Sequence, residues 1–191
     1  AVARYIQEVS GVACSEVFSP PRFTGLCAAM GLQPGFAADL TEYKDNGEKW
    51  DLSRPSDVRE LHRKLRKEDP WLTVGCPPCN VFSSLFNIGK ARRDPAEDAK
   101  KEEQGLRYLT LCLAVYKKRM DAGKFFLHEH PKSASSWKTP EMQEFLKDRR
   151  VLYVQGPMCR WELVDSLCPD VGYVRKETGW LTNDPKLAEL L

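Results

Sequence analysis

Five short apolar runs alternate with stretches of helical periodicity, and this alternation limits the fold more than any other feature of the chain. The runs are "GVACSEVF" (11–18), "GFAADL" (35–40), "WLTVG" (71–75), "KFFLHEH" (124–130) and "VLYVQG" (151–156), each closing on polar or turn residues. They read as buried strands of a few residues. Between them, Pro55 suits a first helical turn after Ser53, and Val58, Leu61 and Leu65 recur on one face. A longer helix is predicted over "EEQGLRYLTLCLAVYKKRM" (102–120). Its Leu106, Leu109, Leu113, Tyr116 and Met120 share a stripe, and Lys117, Lys118 and Arg119 lie near the negative end of the dipole. Thr139-Pro140 and Asp184-Pro185 pair a capping side chain with a proline at the first helical position. Alternation of this kind needs right-handed crossovers between parallel strands, which predicts an α/β, doubly wound, mostly parallel sheet. Ligands of such sheets bind beyond the carboxyl ends of the strands. That rule selects Glu16, Asp39, the Cys76–Ser83 loop, the His128-Glu129-His130 triplet and Gln155.

At 191 residues the chain is expected to form a single domain over 1–191. No apolar run approaches the roughly 20 residues that span a bilayer, and no membrane partner is expected. The seven cysteines are odd in number and scattered through apolar stretches, which suits free thiols in an intracellular protein, nuclear or cytoplasmic. A net charge of +2 argues against nucleic-acid binding by bulk charge and leaves room for a local basic groove. Lys90, Arg92, Arg93, Lys100 and Lys101 are candidates for such a groove. They lie in or beside "NIGKARRDPAEDAKKEEQ" (87–104), which reads as a charged loop running into the long helix. The chain opens on alanine, as expected of a segment of a longer polypeptide that carries other domains.

"GCPPCNVFSSL" (75–85) is the richest chemical signal. Cys76 and Cys79 have a spacing that zinc accepts, with His128, His130, Cys159 or Cys168 as further ligands, but the second half of the chain has no matching pair and no metal is expected. C-P-P-C after a strand also suits a thiol redox couple. A third reading makes Cys79 a nucleophile at a strand end. A thiolate that attacks an electron-poor ring needs an acid to absorb the charge pushed onto a ring nitrogen, and Glu129, at the next strand end, occupies the place for it.

Pro77, Pro78, Cys79, Asn80, Val81, Phe82 and Ser83 resemble the Pro-Pro-Cys-Gln-x-Phe-Ser signature of the cytosine C5 methyltransferases that use S-adenosylmethionine. Glu129, His130 and Pro131 are similar to that family's Glu-Asn-Val strand end in the glutamate alone. The resemblance covers roughly residues 12 to 131 and implies a Rossmann-like sheet of the S-adenosylmethionine-dependent methyltransferase type. It implies Cys79 and Glu129 as catalytic residues. Phe18, Ser19, Asp39, Asp51 and Pro77 would hold the cofactor, and Asn80 and Ser83 the substrate. Arg160, in "QGPMCRWEL", is a loose stand-in for the family's Gln-x-Arg-x-Arg strand and a further substrate-binding candidate. Two features depart from the pattern. "VFSPPRFTG" has Pro20, Pro21 and Arg22 where the family's first motif has glycines, and no stretch beyond 131 is long enough for a target-recognition domain. The ending "RKETGWLTNDPKLAELL" is expected to return a helix towards the cofactor side. The combination of Ser-Pro-Pro-Arg, Pro-Pro-Cys and His-Glu-His-Pro also looks like compact methyltransferase-like domains of algal retroelement polyproteins. The expected activity is cytosine C5 methylation of nucleic acid, DNA ahead of RNA. The altered first motif supports an alternative, a catalytically silent methyltransferase-fold module that binds nucleic acid or a partner.

Overall fold

The protein is described over residues 11–191 by a computed structural model. Six strands form one sheet: β1 (Cys14–Val17), β2 (Pro34–Ala38), β3 (Leu72–Gly75), β4 (Phe125–Pro131), β5 (Leu152–Pro157) and β6 (Glu177–Thr182). Their spatial order is β2-β1-β3-β4-β6-β5. The β1–β2, β1–β3 and β3–β4 pairings are parallel, whereas β6 runs antiparallel to both β4 and β5. Five strands therefore point the same way, with β6 inserted against them. All five expected strands form. After β2 the chain crosses back over β1 to place β3 on its other side, so the strand order reverses between β1 and β3, and a crevice opens beyond their carboxyl ends.

Helices cover both faces: α1 (Phe23–Ala29), α2 (Pro55–Glu68), α3 (Pro95–Asp121), α4 (Pro140–Phe145) and α5 (Pro185–Leu190). On one face Val17, Phe126 and Leu181 pack with Leu61 and Leu65 of α2, Leu109 and Tyr116 of α3, and Met142 of α4. The other buries Cys14, Val74, Leu127 and Trp180 beneath Cys27 of α1 and Leu187 of α5. Period-2 alternation along β4 serves both cores, since Phe126, His128 and His130 turn one way and Leu127 and Glu129 the other. Among the described residues no helix is long and apolar enough to cross a membrane.

The expected caps form at Thr139, which accepts from the Met142 amide, and at Asp184, which accepts from the Lys186 amide. Three local expectations need correction. The residue capping α2 is Arg54, not Ser53, and its side chain makes no cap bond. The segment 87–104 is not a loop throughout, because Asp94 accepts from the Ala96 amide and, with Pro95 behind it, starts α3 seven residues before the expected helix. The tail does not go straight into a helix either. Glu177–Thr182 forms β6 first, with every residue after Glu177 buried. Only Trp180 and Leu181 in that run are strongly apolar, and Gly179 weakens any strand pattern. Glycine is needed there because a Cβ would lie 2.8 Å from the Trp137 ring and 2.9 Å from Tyr153.

Candidate functional site

At the crevice, the last but one residue of β1 is Glu16, fully buried, whose carboxylate accepts from Ser19 Oγ at 2.6 Å and from the Thr24 amide and hydroxyl at 2.8 Å each. One carboxylate thus fastens the β1–α1 loop at both ends. Phe18 sits in the left-handed region with φ 55°, a conformation that costs a non-glycine residue about 1 kcal/mol or more. Its amide bonds Ala38 O at 2.8 Å and its ring lies 4.8 Å from that of Tyr108. The loop in which glycines were expected is instead rigid, with Pro20 and Pro21 outside and Glu16 beneath. Ser19 is turned inward by the same bond and is buried.

Beside Phe18 is a narrow cleft of about 70 Å³ lined by Asp39, Leu40, Trp50, Leu52, Pro78 and Tyr108. Asp39 accepts from the Thr41 amide and hydroxyl at 3.0 and 2.9 Å, and its carboxylate is exposed enough to take further donors. Asp51 does not line this cleft. Its carboxylate is spent on the Ser53 amide and hydroxyl and on Arg54, and the Ser53 hydroxyl bond leads in lowering its pKa. The neighbours of Asp51, Trp50 and Leu52, form the wall instead. Through Pro78 and Tyr108 the cleft meets a second one of about 400 Å³ that Asn80, Val81, Phe86 and Lys101 also line. Through Leu52 and Tyr108 it meets a third of about 550 Å³ between α2 and α3. Tyr108 is common to all three, and sequence reasoning missed it because it lies off the buried stripe of α3. Its hydroxyl accepts from Gln104 at 2.6 Å.

The cysteine loop leaves β3 beside the Phe18 turn, with the Cys76 amide bonded to Val17 O at 3.1 Å. Cys76 packs against the core of Val74, Leu127 and Trp180. Burial first, and then the Glu129 charge, pushes its thiol up to about 12. Cys79 is half-buried and precedes the short turn Asn80–Phe82. Its thiol is also raised, first by burial and then by Glu129, against the opposing charge of Lys176. Register explains why Glu129 influences both thiols. Gly75 pairs with His128, so Glu129 stands opposite the first residue of the cysteine loop. The Glu129 carboxylate is ion-paired to Lys176 Nζ at 2.9 Å. Cys79, Glu129 and Lys176 thus form an electrostatic cluster at the ends of adjacent strands. Cys76 and Cys79 are both free thiols, and among the described residues no three His, Cys, Asp or Glu side chains are grouped to hold a metal.

The two histidines of the triplet face the opposite side of β4, in the core. The His128 ring stacks edge-on to Tyr116 and Trp137, and its Nδ1 bonds the Tyr116 hydroxyl at 3.1 Å. Tyr116 reaches it by passing under Gly75, where a Cβ would meet the Tyr116 oxygen at 2.0 Å. Pro77 is buried, and its carbonyl accepts from His130. Asn80 is exposed in the second cleft, while Ser83 caps the next turn by accepting from the Leu85 amide. Arg160 is exposed on the turn Met158–Trp161 with its guanidinium over the Trp161 ring, and it lines none of the three clefts.

Most of the basic groove is committed elsewhere. Arg93 shares its Nε hydrogen between the two oxygens of the buried Asp98 and donates from its other two nitrogens to the carbonyls of Ile88 and Phe86, which organises the loop 86–93. Lys90 pairs with Glu102 and Lys100 with Glu97. Arg92 and Lys101 have no carboxylate partner among the described residues, and Lys101 lines the cleft beside Asn80.

The chain matches no model of a known protein family and no curated protein.

Proposed function

We propose that the protein is an S-adenosylmethionine-dependent cytosine C5 methyltransferase acting on nucleic acid, DNA ahead of RNA, through a covalent adduct at Cys79. The observation that carries this reading is the convergence of the Cys79 thiol and the Glu129 carboxylate at the ends of neighbouring strands β3 and β4. The cleft between Phe18 and Pro78, which neither Cys79 nor Glu129 lines, offers Asp39 for ribose hydroxyls, while Phe18, Leu40, Trp50 and Leu52 make apolar walls suited to a flat purine. Those residue types fit the cofactor, which when bound supplies an electrophilic methyl sulfonium.

The chain's own residues account for the rest. Carbon 5 of cytosine is a weak nucleophile until carbon 6 is substituted. The Cys79 sulfur would form a bond to carbon 6 as its thiol proton passes through the Glu129 carboxylate to nitrogen 3, and the carbon 5–carbon 6 π electrons would move into the ring. In the free protein burial first, and then the Glu129 charge, raises the Cys79 thiol above its ordinary value. While Glu129 holds the thiol's proton against nitrogen 3 its charge is offset, and Lys176 remains as the nearby cation favouring thiolate. Activation of the nucleophile would then depend on a base being in place. After alkylation of carbon 5, loss of its proton to a base restores the double bond and expels the Cys79 sulfur. The target must leave its stack, at a cost of a few kcal/mol that contacts in the site offset.

The test is covalent trapping with an oligonucleotide carrying 5-fluorocytosine, whose fluorine prevents the last elimination. The wild type should give a cofactor-dependent adduct, Cys79→Ala none, and Glu129→Gln far less; an adduct that persists in Cys79→Ala removes this mechanism. A second reading, a silent binding module, is favoured by the inward Ser19 and the small Phe18 cleft. Calorimetry with S-adenosylmethionine separates the two, since the silent module gives no heat of binding.

A further inference from the structure

The cysteine loop has an unusual deficit. Pro77 and Pro78 lack backbone N–H groups, so the approach to Cys79 offers only carbonyls for anchoring, and a buried carbonyl without a donor is costly. His130 supplies the donor from the next strand. Its Nε2 lies 2.8 Å from Pro77 O, and its Nδ1 lies 2.7 Å from Ser136 Oγ. The partners fix the tautomer: a carbonyl can only accept, so Nε2 carries the hydrogen and the Ser136 hydroxyl donates to Nδ1. The imidazole is buried, packed 5.8 Å from the Phe82 ring and edge-on to Trp137, and burial above all keeps it neutral. A second strut runs parallel to it, from Ser135 Oγ to Phe82 O at 3.3 Å. Both ends of the segment carrying Cys79 are therefore tied to the chain just after Glu129, one by His130 at the end of β4 and the other by Ser135 beyond it.

We infer that His130 is a positioning residue that holds the Pro77–Cys79 segment against the end of β4 and so sets the distance between Cys79 and Glu129. The inference rests on Cys79 as the nucleophile for its consequence in catalysis, and on geometry alone for the tether. Because one ring joins the two strand ends, Cys79 and Glu129 move as a unit, and a loop freed from it would expose the thiol while misplacing it for attack.

Two variants separate tethering from bulk. His130→Leu removes the donor, whereas His130→Gln can return an amide N–H to the position of Nε2. Two readouts are taken on the full chain: peptide-level alkylation of Cys79 by iodoacetamide, and trapping by the 5-fluorocytosine oligonucleotide, with thermal melts of each variant. The expected result for His130→Leu is alkylation of Cys79 faster by roughly tenfold and trapping slower by a similar factor, the loss of one buried hydrogen bond. His130→Gln should bring both back to within about threefold of wild type, consistent with a recovered bond. Opposite movement of the two rates is a signature that general loosening does not give on its own, since the glutamine variant loses the same aromatic packing. Alkylation of Cys79 in His130→Leu at the wild-type rate, or equal behaviour of the two variants, overturns the inference. If His130→Leu shows no cooperative melt, Ser136→Ala takes its place. Removing the hydroxyl that orients the ring should speed alkylation by a smaller factor, and an unchanged rate overturns the tether. If wild type is trapped by no oligonucleotide, the methyltransferase reading fails while the alkylation comparison still decides the role of His130.

Discussion

Gly105 lies in the middle of α3, where alanine would ordinarily gain about 1 kcal/mol of helix stability. The structure reverses that expectation. A Cβ at 105 would meet Val81 Cγ2 at 2.3 Å, more than an ångström inside the usual 3.5–4.0 Å carbon contact. Val81 is β-branched and belongs to the turn that follows Cys79, so relief requires the turn itself to shift. Overpacking of this kind costs about 1–3 kcal/mol. Set against the propensity gain, Gly105→Ala should lower stability by about 0–2 kcal/mol. In a Val81→Ala background the collision is gone, and the same substitution should stabilise by about 1 kcal/mol. Urea denaturation of the four proteins of this cycle gives the coupling directly, provided the slopes agree. Trapping by the fluorinated oligonucleotide should fall in Gly105→Ala and recover in the double variant, because Asn80–Phe82 is displaced with Cys79 at its head. Stabilisation by Gly105→Ala in both backgrounds would refute the reasoning, since it would mean that the turn does not rest on α3.

Further tests probe the charges. Glu129→Gln should lower the pH at which iodoacetamide alkylation of Cys79 reaches half its maximum, and Lys176→Ala should raise it, because the carboxylate raises that thiol and the ammonium opposes it; coincident profiles would sever the cluster. His128 and His130 have folded pKa values below the ordinary 6.5, chiefly through burial. The unfolded chain therefore takes up protons first as pH falls below about 6.5, and stability should decline by about 1.4 kcal/mol per pH unit for each histidine that stays neutral. Urea midpoints between pH 7 and 5 check this, a window above the region where carboxylates titrate. Asp39→Ala should weaken S-adenosylmethionine binding by about tenfold, consistent with loss of a charged hydrogen-bond acceptor, whereas Asp51→Ala should change it little. Calorimetry decides, and the reverse order would move the cofactor cleft.

The alternation of apolar runs made the parallel part of the sheet legible, since each run ends within about two residues of a strand end. It also placed the cysteine loop and Glu129 on neighbouring strands. What escaped depends on contacts between distant segments. Thr178 and Thr182 of β6 are fully buried hydroxyl residues, and nothing local distinguishes them from a solvated turn. Glu16 was visible as a strand-end acid, but its use as a loop fastener depends on Thr24, eight residues away. Tyr108 gains its importance from the clefts it lines, and His130 from the Pro77 carbonyl that meets it in the core. Asp51 stands in a plausible position by sequence, and only the folded turn reveals that its carboxylate is engaged by Ser53.

The position of β6 has a consequence for how the protein comes into being. It pairs with β4 on one side and β5 on the other, yet follows both in the chain. A ribosome that has released residues up to 157 has made two strands whose facing edges wait for a partner not yet synthesised, and such edges invite pairing with other chains. Lys176, which neutralises Glu129, is the residue that leads into that strand. Closure of the sheet and completion of the charge cluster are therefore one event, so a nascent or C-terminally nicked chain would present Cys79 and Glu129 without their counterion until the final strand docks.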